Sequence, residues 1–269
     1  MLPARLRNER TRTQLQLAVR LAGRQISQRY RESVFGAAWA IMNPLLLLLI
    51  YWVVFAQVFD SRWTGPEQNR PYALIIFSGI IVFNLYAEIV NSSLFLVQGN
   101  SLLIKRTTVS SRVLPIASSI AALFTFAINL VPFLVVYLAL EHTPPPATAL
   151  LLPIIIGPLI VMSTGIAMIL AAVSAYLRDT QQVVPLINTA LFFMSPIFYP
   201  GNRLPGGLAA VSEKFTPVGH VLVSARRLVF VGELPLLRPT LFYCAGAVAI
   251  FMVGWIVYGA ASKGFGDVV

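Results

Sequence analysis

The chain has 269 residues, of which 57% are hydrophobic and only 11% charged, with a net charge of +10. A soluble domain carries about 25% charged residues, so the composition excludes a water-facing globular surface and points to an all-α integral membrane protein. The mean hydropathy of +0.78 agrees, and the one cysteine, Cys244, excludes an intrachain disulfide and a cysteine metal cluster.

Residues 1–36 hold eight of the twenty Lys and Arg residues. Within them, 10–31 reads as an amphipathic helix: Leu15, Val19, Ala22 and Ile26 recur at helical spacing, and Arg10, Arg12, Arg20, Arg24, Arg29 and Arg31 supply the basic character. That is the pattern of a helix lying in the membrane interface against anionic lipid. Docking of the same helix on protein is compatible with it. A nucleic-acid partner is not expected, because no soluble module carries the charge. No cleavable signal peptide is expected, since the first apolar run begins near Ala37 and is too long for one.

Six spans are expected near 37–59, 71–97, 113–140, 147–176, 183–199 and 240–261, because about 20 apolar residues cross a hydrocarbon core. With the N-terminus inside, the cytoplasmic segments carry thirteen Lys and Arg and the short outer links two, Arg62 and Arg70. The positive-inside rule therefore places both termini in the cytoplasm, although the outer segment 200–239 carries five more. That segment is broken by Pro200, Gly201, Pro205, Gly206, Gly207, Pro217, Pro235 and Pro239 around a short apolar stretch. It reads either as a re-entrant outer gate or as a surface loop.

Within the spans, Glu88 stands between Asn84 and Asn91 on one helical face. An intramembrane acid is costly and faces a bundle interior or a water-filled path. A translocation path and a polar tether between helices both fit. Trp39, Tyr51, Tyr86, Phe198 and Tyr199 belong to an aromatic population in the first, second and fifth spans. Their faces suit sugar rings, although most such residues serve as interfacial belts. His142 and His220 lack ligand spacing, and no phosphate-binding G-x-x-x-x-G-K-[ST] loop is present, so the chain is not expected to be an ATPase, to hold a metal or to bind a cofactor of its own.

Several stretches together resemble the type 2 ABC transporter permeases that export polysaccharides and polyol phosphates. The ramp RYRESVFGAAWAIMNPLLLLLIYWVVF carries Phe35-Gly36, Trp39 and Pro44. GNSLLIKRTTVSSRVLP carries Asn100, Leu103, Ile104, Lys105, Arg106 and Pro115, and YLRDTQQVVPLINTALFFMSPIFYP ends in Ser195-Pro196-Ile197-Phe198-Tyr199. TPVGHVLVSARRLVF and the terminal GFGDVV complete the order. The chain departs from the pattern at Val109-Ser110-Ser111, where Phe-Pro-Arg is usual, and at Thr216-Pro217-Val218, where Asn-Pro-Leu is usual.

The resemblance implies a homodimer of six-span subunits working with two separate ABC ATPase subunits, which would hold the ATP and Mg. It implies a permease domain over 37–269, with a coupling loop at 98–112 (Leu103, Ile104, Lys105, Arg106) and an outer gate at 200–239 (Pro217, Arg226, Arg227). The implied cargo is an undecaprenyl-pyrophosphate-linked polysaccharide such as O-antigen, moved across a bacterial inner membrane. Teichoic acid, capsule, galactan, a drug or a small glycolipid are alternatives within the superfamily. A membrane enzyme acting on lipid-linked sugars and a non-catalytic scaffold are the alternatives outside it. Arg29 and Arg31 lie at headgroup depth, where paired hydrogen bonds suit either the lipid pyrophosphate or ordinary anionic headgroups.

Overall fold

A computed structural model describes residues 4–30, 35–54, 63, 67, 70–106, 111–199 and 216–268. All regular elements among the described residues are helical. In a lipid environment a backbone must satisfy its hydrogen bonds within each segment, which is why apolar runs of this length fold as helices.

Helix α1 (Ala4–Tyr30) leads through a turn at Gly36, whose φ of 50° favours glycine, into α2 (Trp39–Trp52). Then come α3 (Tyr72–Ser93), two short helices α4 (Leu96–Gly99) and α5 (Ser101–Arg106), and α6 (Val113–Glu141). Helix α6 ends on the left-handed His142, whose N–H donates to the Leu138 carbonyl at 3.1 Å. A 3-10 turn at Ala147–Leu151 opens α7 (Leu152–Tyr176), followed by α8 (Thr180–Met194). Helix α9 (Gly219–Arg226) continues as a π turn at Arg227–Val231 and stops at left-handed Gly232. Finally come α10 (Leu237–Ala261) and a short α11 (Phe265–Val268).

Four helical stretches are long and apolar enough to cross a membrane: Tyr72–Ser93, Val113–Glu141, Ala147–Tyr176 and Leu237–Gly264. Helix α2 is apolar but covers 14 residues, and α8 covers 15. With the 3-10 turn before it, α2 keeps the expected first span helical as far as residue 54, whereas α8 falls short of the expected fifth span at its C-terminal end. Residues 55–60 lie outside the described residues, and α8 stops because Ser195 turns to an extended backbone (ψ 147°) ahead of Pro196.

Helix α3 is the hub. Leu74, Ile75, Ile76 and Phe77 are buried within it, and it packs against α6, α7 and α9. Lipid tails are as apolar as leucine, so such a core is held by close packing and inter-helix hydrogen bonds rather than by transfer from water. The hydroxyls supply these bonds: Ser92 meets Ser118 across α3 and α6, and Ser119 meets Thr164 at 2.8 Å across α6 and α7. Helices α7 and α10 touch backbone to backbone. A Cβ added at Gly165 would lie 2.6 Å from the Phe251 Cα, and one at Gly254 would collide with the Gly165 carbonyl.

Helix α1 docks on protein through small residues. Ala18, with half-buried Leu17 and Leu21, meets Val113 and Ala117 of α6, and Ala22 one turn further on is also buried. Leu15 and Val19 of the expected apolar stripe are exposed. The helix thus has two apolar faces, a flat alanine face that lets α6 approach and a leucine-valine face left uncovered.

Candidate functional site: a polar cavity in the apolar bundle

A cavity of about 590 Å³ opens between α2, α3 and α6. Helix α3 contributes Asn84, Glu88 and Asn91, which stack because residues three and four apart share a face. Helix α2 contributes Trp39 and Asn43, and α6 contributes Thr125 and Asn129, again four apart. Helix α3 is buried on its other faces, while Asn84 is exposed and Glu88 and Asn91 are half-buried, so this stripe is where the hub meets the open side of the bundle.

The acid is held in place. The Thr125 hydroxyl donates to Glu88 Oε1 at 3.2 Å, and Asn188 of α8 donates to Asn91 Oδ1 at 2.7 Å. Carboxylate, amide and hydroxyl groups supply acceptors and donors in quantity, so the wall suits a ligand rich in hydroxyls. Of the sequence-derived residues, Trp39 and Glu88 come together here. Asn43, Thr125, Asn129 and Asn188 were missed, although intramembrane amides at helical spacing are a readable signal.

The other aromatic candidates sit elsewhere. Tyr51 contacts the Phe198 ring at 6.2 Å, and Phe198 packs against Phe192 at 5.2 Å, in a cluster joining α2 and the end of α8. The Tyr199 hydroxyl donates to the Phe193 carbonyl beside them. Tyr86 is buried in the core with its ring 5.9 Å from Phe83. Arg31 and the side chain of Arg29 lie outside the described residues.

At the opposite end from the α9 segment, α5 is anchored by half-buried Leu103 and Ile104 against a cluster that includes Leu114, Tyr258 and Phe265. Helix α11 packs on α5, with Phe265 fully buried between Tyr176 and Tyr258. Lys105 and the neighbouring Leu102 are exposed, so α5 presents a basic and apolar outer surface on a fixed base. The side chain of Arg106 lies outside the described residues.

Arg226 is a buried anchor. Its guanidinium donates to the carbonyls of Pro196 at 2.6 Å, Ile197 at 2.9 Å and Ile75 at 3.0 Å, and lies 4.7 Å from the Trp63 ring. The Trp63 indole donates to Glu67. Burial lowers the pKa of Arg226 to about 9, while Glu67 and Tyr72 oppose the shift, so it stays cationic at neutral pH. One side chain thereby ties α9 to α3 and to the turn after α8. Arg227 lies 4.0 Å from Glu233, and Pro217 offers its carbonyl to the Tyr243 hydroxyl at 2.7 Å. Residues 200–215, the first part of the expected gate, lie outside the described residues. At the same end, Arg70 pairs with Glu141 and donates to the Phe230 carbonyl at 2.9 Å.

Similarity to known proteins agrees with this arrangement. Residues 16–230 match the family described as ABC-2 type transporter. Over 254 residues the chain is 25% identical to an O-antigen export system permease protein RfbA of Klebsiella pneumoniae, covering 94% of this chain and 95% of that one. A protein of the same description from Myxococcus xanthus is 23% identical over 253 residues, with 93% and 94% covered. The polysialic acid transport protein KpsM of Escherichia coli is 28% identical over 214 residues, with 78% and 79% covered. A polar cavity in an apolar helical bundle, and a match that spans most of its length, place the chain in the ABC-2 type transporter family of membrane proteins.

Proposed function

We propose that the chain is the transmembrane subunit of an ATP-driven exporter that carries an undecaprenyl-pyrophosphate-linked polysaccharide, O-antigen or a related glycan, out of the cytoplasm across the inner membrane. The observation that carries this reading is the cavity of Trp39, Asn43, Asn84, Glu88, Asn91, Thr125 and Asn129. Six polar side chains at one place in a bundle this apolar are expensive unless they serve a polar cargo. Amides and a carboxylate hydrogen-bond sugar hydroxyls, and Trp39 offers a ring face.

In this reading α2, α3, α6, α7, α8 and α10 are the six spans, with both termini in the cytoplasm. Helix α9 is the re-entrant part of the outer gate, held by Arg226. Two copies form the transport unit, and an ABC ATPase docks on each through α5, with Lys105 and Arg106 meeting it. ATP and Mg belong to that partner. Arg29 and Arg31 receive the lipid pyrophosphate at the inner headgroup layer. The similarity to the polysialic acid transport protein supports capsule glycan as the second cargo reading.

The test is export in a bacterium that assembles the lipid-linked glycan but lacks its own permease. The wild-type chain and its ATPase restore glycan at the cell surface. Ala87→Trp, which puts an indole on the cavity wall, abolishes surface glycan while the ATPase still co-purifies. Wild-type export by Ala87→Trp would rule the cavity out as the path.

A further inference from the structure

A second cavity, of about 690 Å³, lies between α7, α10 and the 216–220 segment, remote from the polar site. Its wall is apolar, formed by Met162 and Ile166 of α7 and by Phe242, Gly246 and Ile250 of α10. Its mouth is polar. Arg238, exposed in the first turn of α10, lines it together with Thr216 and with His220, which shares a hydrogen bond of 3.2 Å with Thr240.

The depth of the cavity matches one leaflet of a bilayer. Ile250 follows Arg238 by twelve residues on one helix, which spans about 18 Å at 1.5 Å per residue. One leaflet of a ~30 Å hydrocarbon core is about 15 Å deep. A cation at the mouth and an apolar wall one leaflet deep fit a phospholipid whose phosphate meets Arg238 and one of whose acyl chains lies in the cavity toward Ile250, the second chain remaining in the bilayer. A guanidinium binds phosphate through two parallel bonds.

We propose that this cavity is a site for an anionic diacyl phospholipid of the outer leaflet. The lipid lies against Pro217, whose carbonyl is already held by Tyr243, and so braces the segment that leads into α9. The leaflet assignment rests on the orientation proposed above. Occupancy itself is read without glycan or ATP, so its failure leaves the exporter reading standing.

The test is native mass spectrometry of the full chain with its ATPase, released from nanodiscs of equal phosphatidylglycerol and phosphatidylcholine. Wild type retains phosphatidylglycerol in preference to phosphatidylcholine. Arg238→Gln, an exposed substitution that leaves packing intact, lowers that preference about fivefold, the effect of one basic residue at a membrane surface. Gly246→Phe fills the cavity, because a Cβ there meets nothing within 4 Å, and it lowers retention of both lipids. No preference in wild type, or unchanged retention in both variants, overturns the proposal. So does dissociation of paired copies by Gly246→Phe, since the cavity would then be a protein interface.

Discussion

Replacing Arg226 with Met tests how the outer segment is held. Methionine fills much of the same volume, so the change removes hydrogen bonds more than packing. Three carbonyls lose a charged donor, and those of Pro196 and Ile197 lie outside any helix, with no ladder bond to fall back on. A hydrogen bond to a charged group contributes about 1.5–3 kcal/mol, and a buried carbonyl left unmatched costs ~1–3 kcal/mol. Against this stands relief from keeping a buried cation, because exchanging buried charges for apolar groups is often neutral. That relief is smaller here, since the orphaned carbonyls remain. The net loss is on the order of 3 kcal/mol, which for a chain of this size lowers Tm by about 6–12 °C. Arg226→Lys restores one donor group but not the fork, and falls between. Thermal unfolding in detergent, followed by intrinsic fluorescence, reads the shift. A Tm for Arg226→Met within about 1 °C of wild type would refute the assignment of Arg226 as the anchor.

Three further outcomes follow from the same geometry. Gly165→Leu forces α7 and α10 apart where their backbones touch and destabilises the chain by about 1–3 kcal/mol, read in the same unfolding assay; an unchanged Tm would contradict the close contact. Glu88→Gln keeps the shape of the side chain and removes its charge, lowering export about tenfold if the acid contacts cargo, since losing a hydrogen bond to a charged group costs ~1.5 kcal/mol. A lowered Tm with unchanged export per folded molecule would make Glu88 a tether to Thr125 instead. Lys105→Glu with Arg106→Glu leaves the chain folded, because Lys105 is exposed, and abolishes stimulation of the partner ATPase; undiminished stimulation would remove α5 as the docking element.

Most of the bundle was legible in the sequence because lipid leaves a chain few choices. Apolar runs bounded by charge or Pro located α3, α6, α7 and α10 to within a few residues at most ends. The period of 3.6 put Asn84, Glu88 and Asn91 on one face, as they stand in the cavity. The rest has physical causes. The apolar stripe of α1 divides between two surroundings, with Leu15 and Val19 exposed, as an interfacial helix requires, and Ala22 buried. Close helix contact selects small side chains, and Ala18 and Ala22 are buried. The expected span 183–199 ran past Pro196 because the residues beyond it are aromatic, although the Ser-Pro step ends a helix. The buried tie that Arg226 makes between α9, α3 and the turn after α8 was not legible, because its partners are backbone carbonyls, which carry no mark in the sequence.

In the function proposed, this bundle moves a lipid-linked glycan with energy from a separate ATPase. The most direct measurement is ATP hydrolysis by the chain co-purified in nanodiscs with the ABC ATPase encoded beside it, with and without undecaprenyl-linked polysaccharide. The expected result is a stable complex whose hydrolysis rises on adding the lipid-linked glycan. A chain that associates with no ATPase, or a complex whose hydrolysis ignores the glycan, would contradict it.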